Sequence, residues 1–216
     1  MQNDYNTSFF RAVQNENIAQ IRRSVQMGAD ITTTNNLHRN ALMQYLTRRS
    51  VQMPIIKILV EECGMDLDQY DLNICNVVHY AAKHNHLDVV KFLLQWGADG
   101  DTISIHHQTP LSLAVQTNNT RLVHELLDWG AQPNTVDVYG YTPLLYAVTQ
   151  SYQMVKLLVE AGARVNFFSS NGLNPLKLAM KHKKHLICTY LQLKGARSVR
   201  NRLPTILLRS GSVTTI

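Results

Sequence analysis

Residues 137–166 read DVYGYTPLLYAVTQSYQMVKLLVEAGARVN, and the rest of the chain is built on their plan. The stretch opens with a turn-prone Asp-Val-Tyr-Gly and enters a helix at Thr142-Pro143. Proline suits a first helical position because its missing N–H would have no partner there. A short apolar helix follows, then a polar break around Gln150 to Gln153. A second apolar run, 154–159, stops at Gly162, since glycine takes the left-handed conformation that closes a helix. Such a pair hides little apolar surface alone, so copies of it must lean on one another.

If the unit recurs, so should its glycine stop. Gly28, Gly64, Gly97, Gly130, Gly162 and Gly195 are separated by 36, 33, 33, 32 and 33 residues. Four of them sit in near-identical endings: MGAD at 27–30, WGAD at 96–99, WGAQ at 129–132 and AGAR at 161–164. KGAR at 194–197 is a fifth, and CGMD at 63–66 a degenerate sixth. The helix opening recurs as Thr109-Pro110-Leu111, Thr142-Pro143-Leu144 and Asn174-Pro175-Leu176.

This arrangement resembles the ankyrin repeat, a helix–turn–helix with a hairpin turn that recurs about every 33 residues. The resemblance covers almost the whole length. It implies an all-α solenoid of about six repeats (7–31, 40–66, 76–99, 109–134, 142–166 and 174–197) in a domain spanning 1–198, with a basic tail at 199–216.

The repeats differ in instructive ways. In the first, Ile18, Ile21 and Val25 form one stripe, with Gln20, Arg22, Arg23 and Ser24 facing elsewhere, as an end cap requires. The second departs most. Tyr45 and Leu46 replace the two small alanines of the first helix, and three extra residues precede Gly64. Two are expected between the helices and one near Cys63, which makes Pro54 the start of the second helix. His79 stands where the family has a structural, hydrogen-bonding histidine. In the sixth, LICTYLQL at 186–193 is apolar on too many sides for an exposed end. Residues 203–208 (LPTILL) are therefore expected to fold back over it.

Composition narrows the function. A hydrophobic share of 45% and a charged share of 17% describe a chain that builds a core. No window approaches the ~18 consecutive apolar residues of a membrane span. The start, MQNDYNTSFFRAVQ, lacks the marks of a cleaved secretory leader. Cys63, Cys75 and Cys188 are too few and too scattered for a disulfide framework or zinc knuckle, so they read as packed thiols. The net charge of +6 is uneven along the chain: from Lys177 onward there are nine basic residues and no acidic one, whereas the first 176 residues carry a net −3.

No Gly-rich phosphate loop, His-Glu-x-x-His pair or Gly-x-Ser-x-Gly elbow occurs. His84-x-His86, His106-His107 and His182-x-x-His185 lack Cys or carboxylate partners at ligand spacing, which argues against a metal site. Neither an enzyme nor a cofactor is expected.

In proteins with this resemblance, partners usually contact the hairpin tips and the exposed ends of the first helices. Carried onto this chain, the tips are Leu37 and Arg39; Leu72 and Asn73; Ile105, His106 and Gln108; Val138, Tyr139 and Tyr141; and Ser170, Asn171 and Leu173. The helix ends are Thr47 and Arg48, Lys83 and His84, Gln116 and Thr117, Thr149 and Gln150, and Lys181 and His182. Tyr139 and Tyr141 are the expected aromatic anchors, because aromatic side chains dominate interface energetics.

The expected function is non-catalytic recognition of another protein by a monomer acting as adaptor, inhibitor or scaffold. The cytoplasm or nucleus is the expected location. The Asn-, Gln- and His-rich composition and irregular second repeat look like the ankyrin effectors that intracellular microbes or viruses place in host cytosol. An alternative is electrostatic binding of nucleic acid or anionic membrane by the basic end, although no stacking platform accompanies it. Thr214-Thr215-Ile216 also fits a loose carboxyl-terminal peptide motif, too short to count.

Overall fold

The computed structural model describes residues 2–198, and among them every regular element is helical. The helices pair in chain order: α1 (Gln2–Gln14) with α2 (Ile18–Gln26), and α3 (Ala41–Tyr45) with α4 (Met53–Lys57). Then follow α5 (Val77–Lys83) with α6 (Leu87–Gln95), and α7 (Pro110–Gln116) with α8 (Thr120–Asp128). The last pairs are α9 (Pro143–Gln150) with α10 (Tyr152–Glu160), and α11 (Pro175–Lys181) with α12 (His185–Leu193).

The first helices of repeats two to six are each started by a buried polar side chain. Asn40, Asn76, Thr109, Thr142 and Asn174 accept a hydrogen bond from a backbone N–H of the first turn. The three asparagines also use their amide ends: Asn76 Nδ2 donates to the Asp99 carbonyl (2.8 Å) and Asn174 Nδ2 to that of Arg197 (2.5 Å). Asn40 Nδ2 donates to Gln69 Oε1 at 2.9 Å. One residue thus caps its own helix and holds the turn that follows its repeat. A cap of this kind contributes about 1 kcal/mol.

Repeats are stapled to one another by a second periodic device. Asp68, Asp101, Asn134 and Asn166 accept the backbone N–H of Asp99, Gln132, Arg164 and Arg197 in the next repeat, at 2.8–3.0 Å. Between these staples runs one continuous core, to which Leu93, Leu122, Leu126 and Leu158 contribute wholly buried side chains. Each is worth roughly 1.5–3 kcal/mol relative to exposure. The first helices α5, α7, α9 and α11 pack closely, because Ala81, Ala82, Ala114, Ala147 and Ala179 face their neighbours. The second helices touch more sparsely, so the stack curves with first helices and tips on its inner side.

Repeat two absorbs its extra residues in two places. Five residues, 48–52, connect the positions matching the ends of α5 and α6, where repeat three uses three. The third extra residue is taken up by a π turn, Ile58–Glu62, that continues α4. There the Met65 N–H reaches back to Leu59, one residue further than the equivalent Ala98-to-Leu93 bond. A π turn is the way a helix accepts one surplus residue without unwinding.

Three expectations change. Helix α1 runs back to Gln2, beyond the expected start at Thr7. Lying over α2, it buries Ser24, whose hydroxyl comes within 3.4 Å of the Ser8 hydroxyl rather than facing outward. His84, expected to be exposed, is half-buried and stacks on His86, ring centroids 6.3 Å apart. At the far end Leu186 and Leu193 are 72% and 80% exposed. The segment 203–208 expected to cover them lies outside the described residues.

Candidate partner-binding surface

Five tips, 35–39, 71–75, 104–108, 137–141 and 169–173, project from the inner edge, each closed by a bond from its first N–H to its last carbonyl. Backbone bonds also tie neighbouring tips: Leu72 N–H to Leu37, Ile105 N–H to Asn73, and Val138 N–H to His106. Main-chain bonds thus tie the first four tips into one ridge.

Two tips carry an aspartate at their first position, and the same three kinds of donor hold it in both. Asp71 accepts the N–H groups of Asn73 (2.8 Å) and Cys75 (2.9 Å) and the Tyr80 hydroxyl (2.5 Å). Asp137 accepts those of Tyr139 (3.0 Å) and Tyr141 (2.9 Å) and the Tyr146 hydroxyl (2.5 Å). Burial pushes the Asp71 carboxyl up, but the bonds from Tyr80, Cys75 and Asn73 outweigh it and hold it below the usual range. Burial raises Tyr80 and Tyr146, and the adjacent carboxylates add to that, so both phenols stay protonated.

Side chains freed from these duties face solvent. Leu37 is 46% exposed, Leu72 53%, Ile105 44%, Val138 51% and Tyr139 68%. Tyr141 behaves differently: it is half-buried against Tyr146, ring centroids 5.3 Å apart. Of the two expected aromatic anchors, only Tyr139 is therefore mostly exposed. Ser170 and Asn171 are exposed and Leu173 is half-buried.

The structure brings one group of the expected residues into a single cleft. Arg39, Asn73, Lys83, His106 and Gln108 line it, with Cys75, His79 and Tyr80 forming its floor. The Arg39 guanidinium lies over the Tyr80 ring, 5.0 Å from its centroid, and 3.7 Å from Asp71. His79 is buried, with Nδ1 2.8 Å from Asn76 Oδ1 and Nε2 3.2 Å from the Gln108 carbonyl, so it builds the cleft wall. Burial lowers its pKa and that of His84. Burial also pushes the Cys75 thiol up to about 11, which keeps it protonated at neutral pH.

The helix ends Thr149, Lys181 and His182 are exposed, and Gln116 and Gln150 half-buried, further along the inner face. Thr47 and Arg48 belong elsewhere: Arg48 donates to the Gln14 carbonyl (2.7 Å) and pairs with Glu16 (3.4 Å), cross-linking repeats one and two. Among the described residues no cluster of His, Cys, Asp or Glu could hold a metal ion, and no helix is long and apolar enough to cross a membrane.

Sequence reasoning passed over two features. Ile74 occupies the fourth tip position with φ +57° and is 44% exposed, although repeats five and six place Gly140 and Gly172 there. The left-handed region disfavours a β-branched residue, so the signal was legible as an isoleucine aligned with glycines. Trp96 and Trp129, each preceding a stop glycine, stand half exposed on the outer edge, the latter donating to Glu125 at 3.2 Å.

Comparison with known proteins agrees with the architecture. A family model described as "Ankyrin repeats (3 copies)" matches residues 9–104 and 111–202. An ankyrin repeat protein of fowlpox virus (strain NVSL) is 26% identical over 65% of this chain, and alpha-latrocrustotoxin-Lt1a of Latrodectus tredecimguttatus is 29% identical over 48%. The matched regions are 18% and 7% of those relatives' lengths. An ankyrin repeat domain from Acinetobacter baumannii AYE superposes with a TM-score of 0.80 at 25% identity, covering 88% of this chain and 98% of that one. The ankyrin repeat domain of Bcl-3, a member of the IkappaB protein family, gives 0.75 at 27%, covering 88% and 86%. Ankyrin repeats generally mediate protein–protein interaction and are typically not enzymes.

Proposed function

Because the chain belongs to the ankyrin-repeat family, we propose that its tip ridge and inner helix face bind another protein without catalysis, as an adaptor, inhibitor or scaffold. One observation carries this reading. Leu37, Leu72, Ile105, Val138 and Tyr139 are exposed on four successive tips, while main-chain bonds and the polar side chain at the first position of each tip hold those tips in place. Large apolar groups that the fold does not use, aligned on a rigid ridge, are what a protein interface needs at its centre.

Affinity capture from the organism's own extract tests this. A chain with Leu72→Ala, Ile105→Ala and Tyr139→Ala should lose the captured protein. A chain with Lys57→Ala, Gln95→Ala and Gln153→Ala on the outer helices should keep it. Equal capture by both would refute the assignment of the face. Likeness to the fowlpox virus protein supports the narrower reading of a host-directed effector in the cytosol, to be checked by locating a tagged chain in infected cells.

A second reading rests on Lys177, Lys181, Lys183, Lys194 and Arg197, all exposed and without an ion pair among the described residues. Nucleic acid or anionic membrane would bind there nonspecifically and with steep salt dependence. Low-salt filter binding with no retention would end it for nucleic acid, and absence of co-sedimentation with anionic vesicles would end it for membrane.

A further inference from the structure

The fold sorts the chain's charges by face, which the linear sequence conceals. None of the first helices α3, α5, α7, α9 and α11 contains an acidic residue. The five tips contain two, Asp71 and Asp137, both buried and both saturated by the tip N–H groups and a tyrosine hydroxyl. Every other acidic residue from Asp30 onward lies on a second helix or in the turn after one. Cations are not removed in the same way. Arg39 and Lys83 remain in the cleft beside His106, and Lys177 and Lys181 continue along the inner side on α11. The inner face is therefore cationic, although the first 176 residues together are net negative.

Arg39 is placed for an external anion. Its Cζ lies 5.0 Å from the Tyr80 ring centroid, and 3.7 Å from Nε to Asp71 is too long for a charge-assisted hydrogen bond. Its Nε is buried and faces Asp71 without a hydrogen bond, so what the cleft can offer an external group is the outer end of the guanidinium. A guanidinium whose outer nitrogens are uncommitted matches a carboxylate in bidentate geometry. Beside the cleft rise Leu72, Ile74 and Ile105, each 44–53% exposed. Ile74 holds a backbone conformation that repeats five and six give to glycine, and strain retained on an exposed apolar group points to use of that group.

Building on the protein-binding reading above, we propose that the partner segment seated across the first three tips, 35–39, 71–75 and 104–108, is acidic. It presents carboxylates to Arg39 and Lys83 and an aliphatic side chain to Leu72, Ile74 and Ile105. Nucleic acid fits this place poorly, because three aliphatic groups flank only two permanent cations and no aromatic ring lies open for stacking.

Fluorescence anisotropy of the full chain with a labelled peptide of repeated Glu-Glu-Leu tests this, against Gln-Gln-Leu and Lys-Lys-Leu peptides and a single-stranded oligonucleotide. The acidic peptide should bind at least roughly tenfold tighter than its glutamine counterpart, and the preference should shrink as salt screens it. Arg39→Gln with Lys83→Gln should remove the preference, whereas Lys57→Gln with Lys156→Gln on the outer helices should leave it. Should Arg39→Gln disturb the fold, Lys83→Gln with His106→Gln keeps the test open, with at least half the preference in free energy expected to go. Equal binding of the Glu and Gln peptides, equal loss in the outer-face variant, or tighter binding of the oligonucleotide would each overturn the proposal. Those results would leave the capture experiment with Leu72, Ile105 and Tyr139 untouched, so the two readings can fail separately.

Discussion

Repeats two and three solve by exception what repeats four and five solve by rule. In the regular pair, Thr-Pro-Leu opens each first helix and Ala114 and Ala147 let neighbours approach closely. Repeat two has Tyr45 and Leu46 in place of the small residues, and both are wholly buried. The bulk is accommodated because the longer connection turns back toward repeat one. There the Tyr45 hydroxyl donates to Glu16 (2.8 Å) and accepts the Gln52 N–H (2.8 Å), while Gln52 Nε2 and Arg48 close on the same carboxylate. Burial and the Glu16 bond push the Tyr45 phenol up to about 12, so it remains a donor throughout the physiological range. Repeat three is regular in length but completes the Asn76 cap of α5 with His79 where repeat four completes that of Thr109 with Ser112. What must be kept from repeat to repeat is the filled interface and the satisfied cap, and neither requires one particular residue.

The sharpest way to break this comparison is deletion. Removing Lys91 from α6 turns Phe92, Leu93 and Leu94 about 100° away from the core, a loss of several kcal/mol that should abolish the cooperative melt. Removing Glu61 converts the π turn of repeat two to plain helix and should leave a folded chain, as circular dichroism melts would reveal. Next in size, Tyr45→Ala should cost roughly 3–5 kcal/mol in denaturant unfolding. Tyr45→Phe should cost about 1–2 kcal/mol, because Gln52 N–H and Glu16 lose their partner. Conversely, Ala147→Leu in regular repeat five should cost roughly 1–3 kcal/mol by overpacking.

Titration separates the two caps. Burial holds the folded-state pKa of His79 below its unfolded value, so the unfolded chain takes up the proton first. Its contribution is therefore present above about pH 6.5 and lost as pH falls toward the folded value. His79→Ser, which copies the cap of repeat four, should flatten the fall in melting temperature between neutral and mildly acid pH. Some slope should survive, because His84 and His86 are displaced downward by burial too. The smallest effect concerns Ile74. Ile74→Gly, copying Gly140, should stabilise the chain by about 0.5–1 kcal/mol once glycine's greater loss of chain entropy is set against relief of the left-handed strain. Affinity for the acidic peptide should fall in the same variant.

Much of this was written in the residues. Glycine spacing and the Thr-Pro-Leu openings determine the helix pairs, their number and their order, because φ preferences and missing N–H groups act locally. The extra residues of repeat two were visible as a 36-residue interval. What local reading misses is anything that two repeats make jointly. Ser24 reads as an outer-face serine until α1 is laid over it. Tyr141 reads as an anchor like Tyr139, yet Tyr146, one helical turn inside the next element, takes its ring. The sorting of carboxylates to the outer face cannot be seen along the chain, because tips and second helices alternate within each repeat and their charges average out.

The recognition face can be tested in a single repeat. A benzoylphenylalanine photocross-linker at position 139 on the tip of repeat five is compared with the same group at position 153, exposed on its outer helix. Illumination in cells should give one discrete cross-linked partner from position 139 and none from position 153. Equal labelling from the two positions, or labelling from position 153 alone, would contradict a partner seated on the tips.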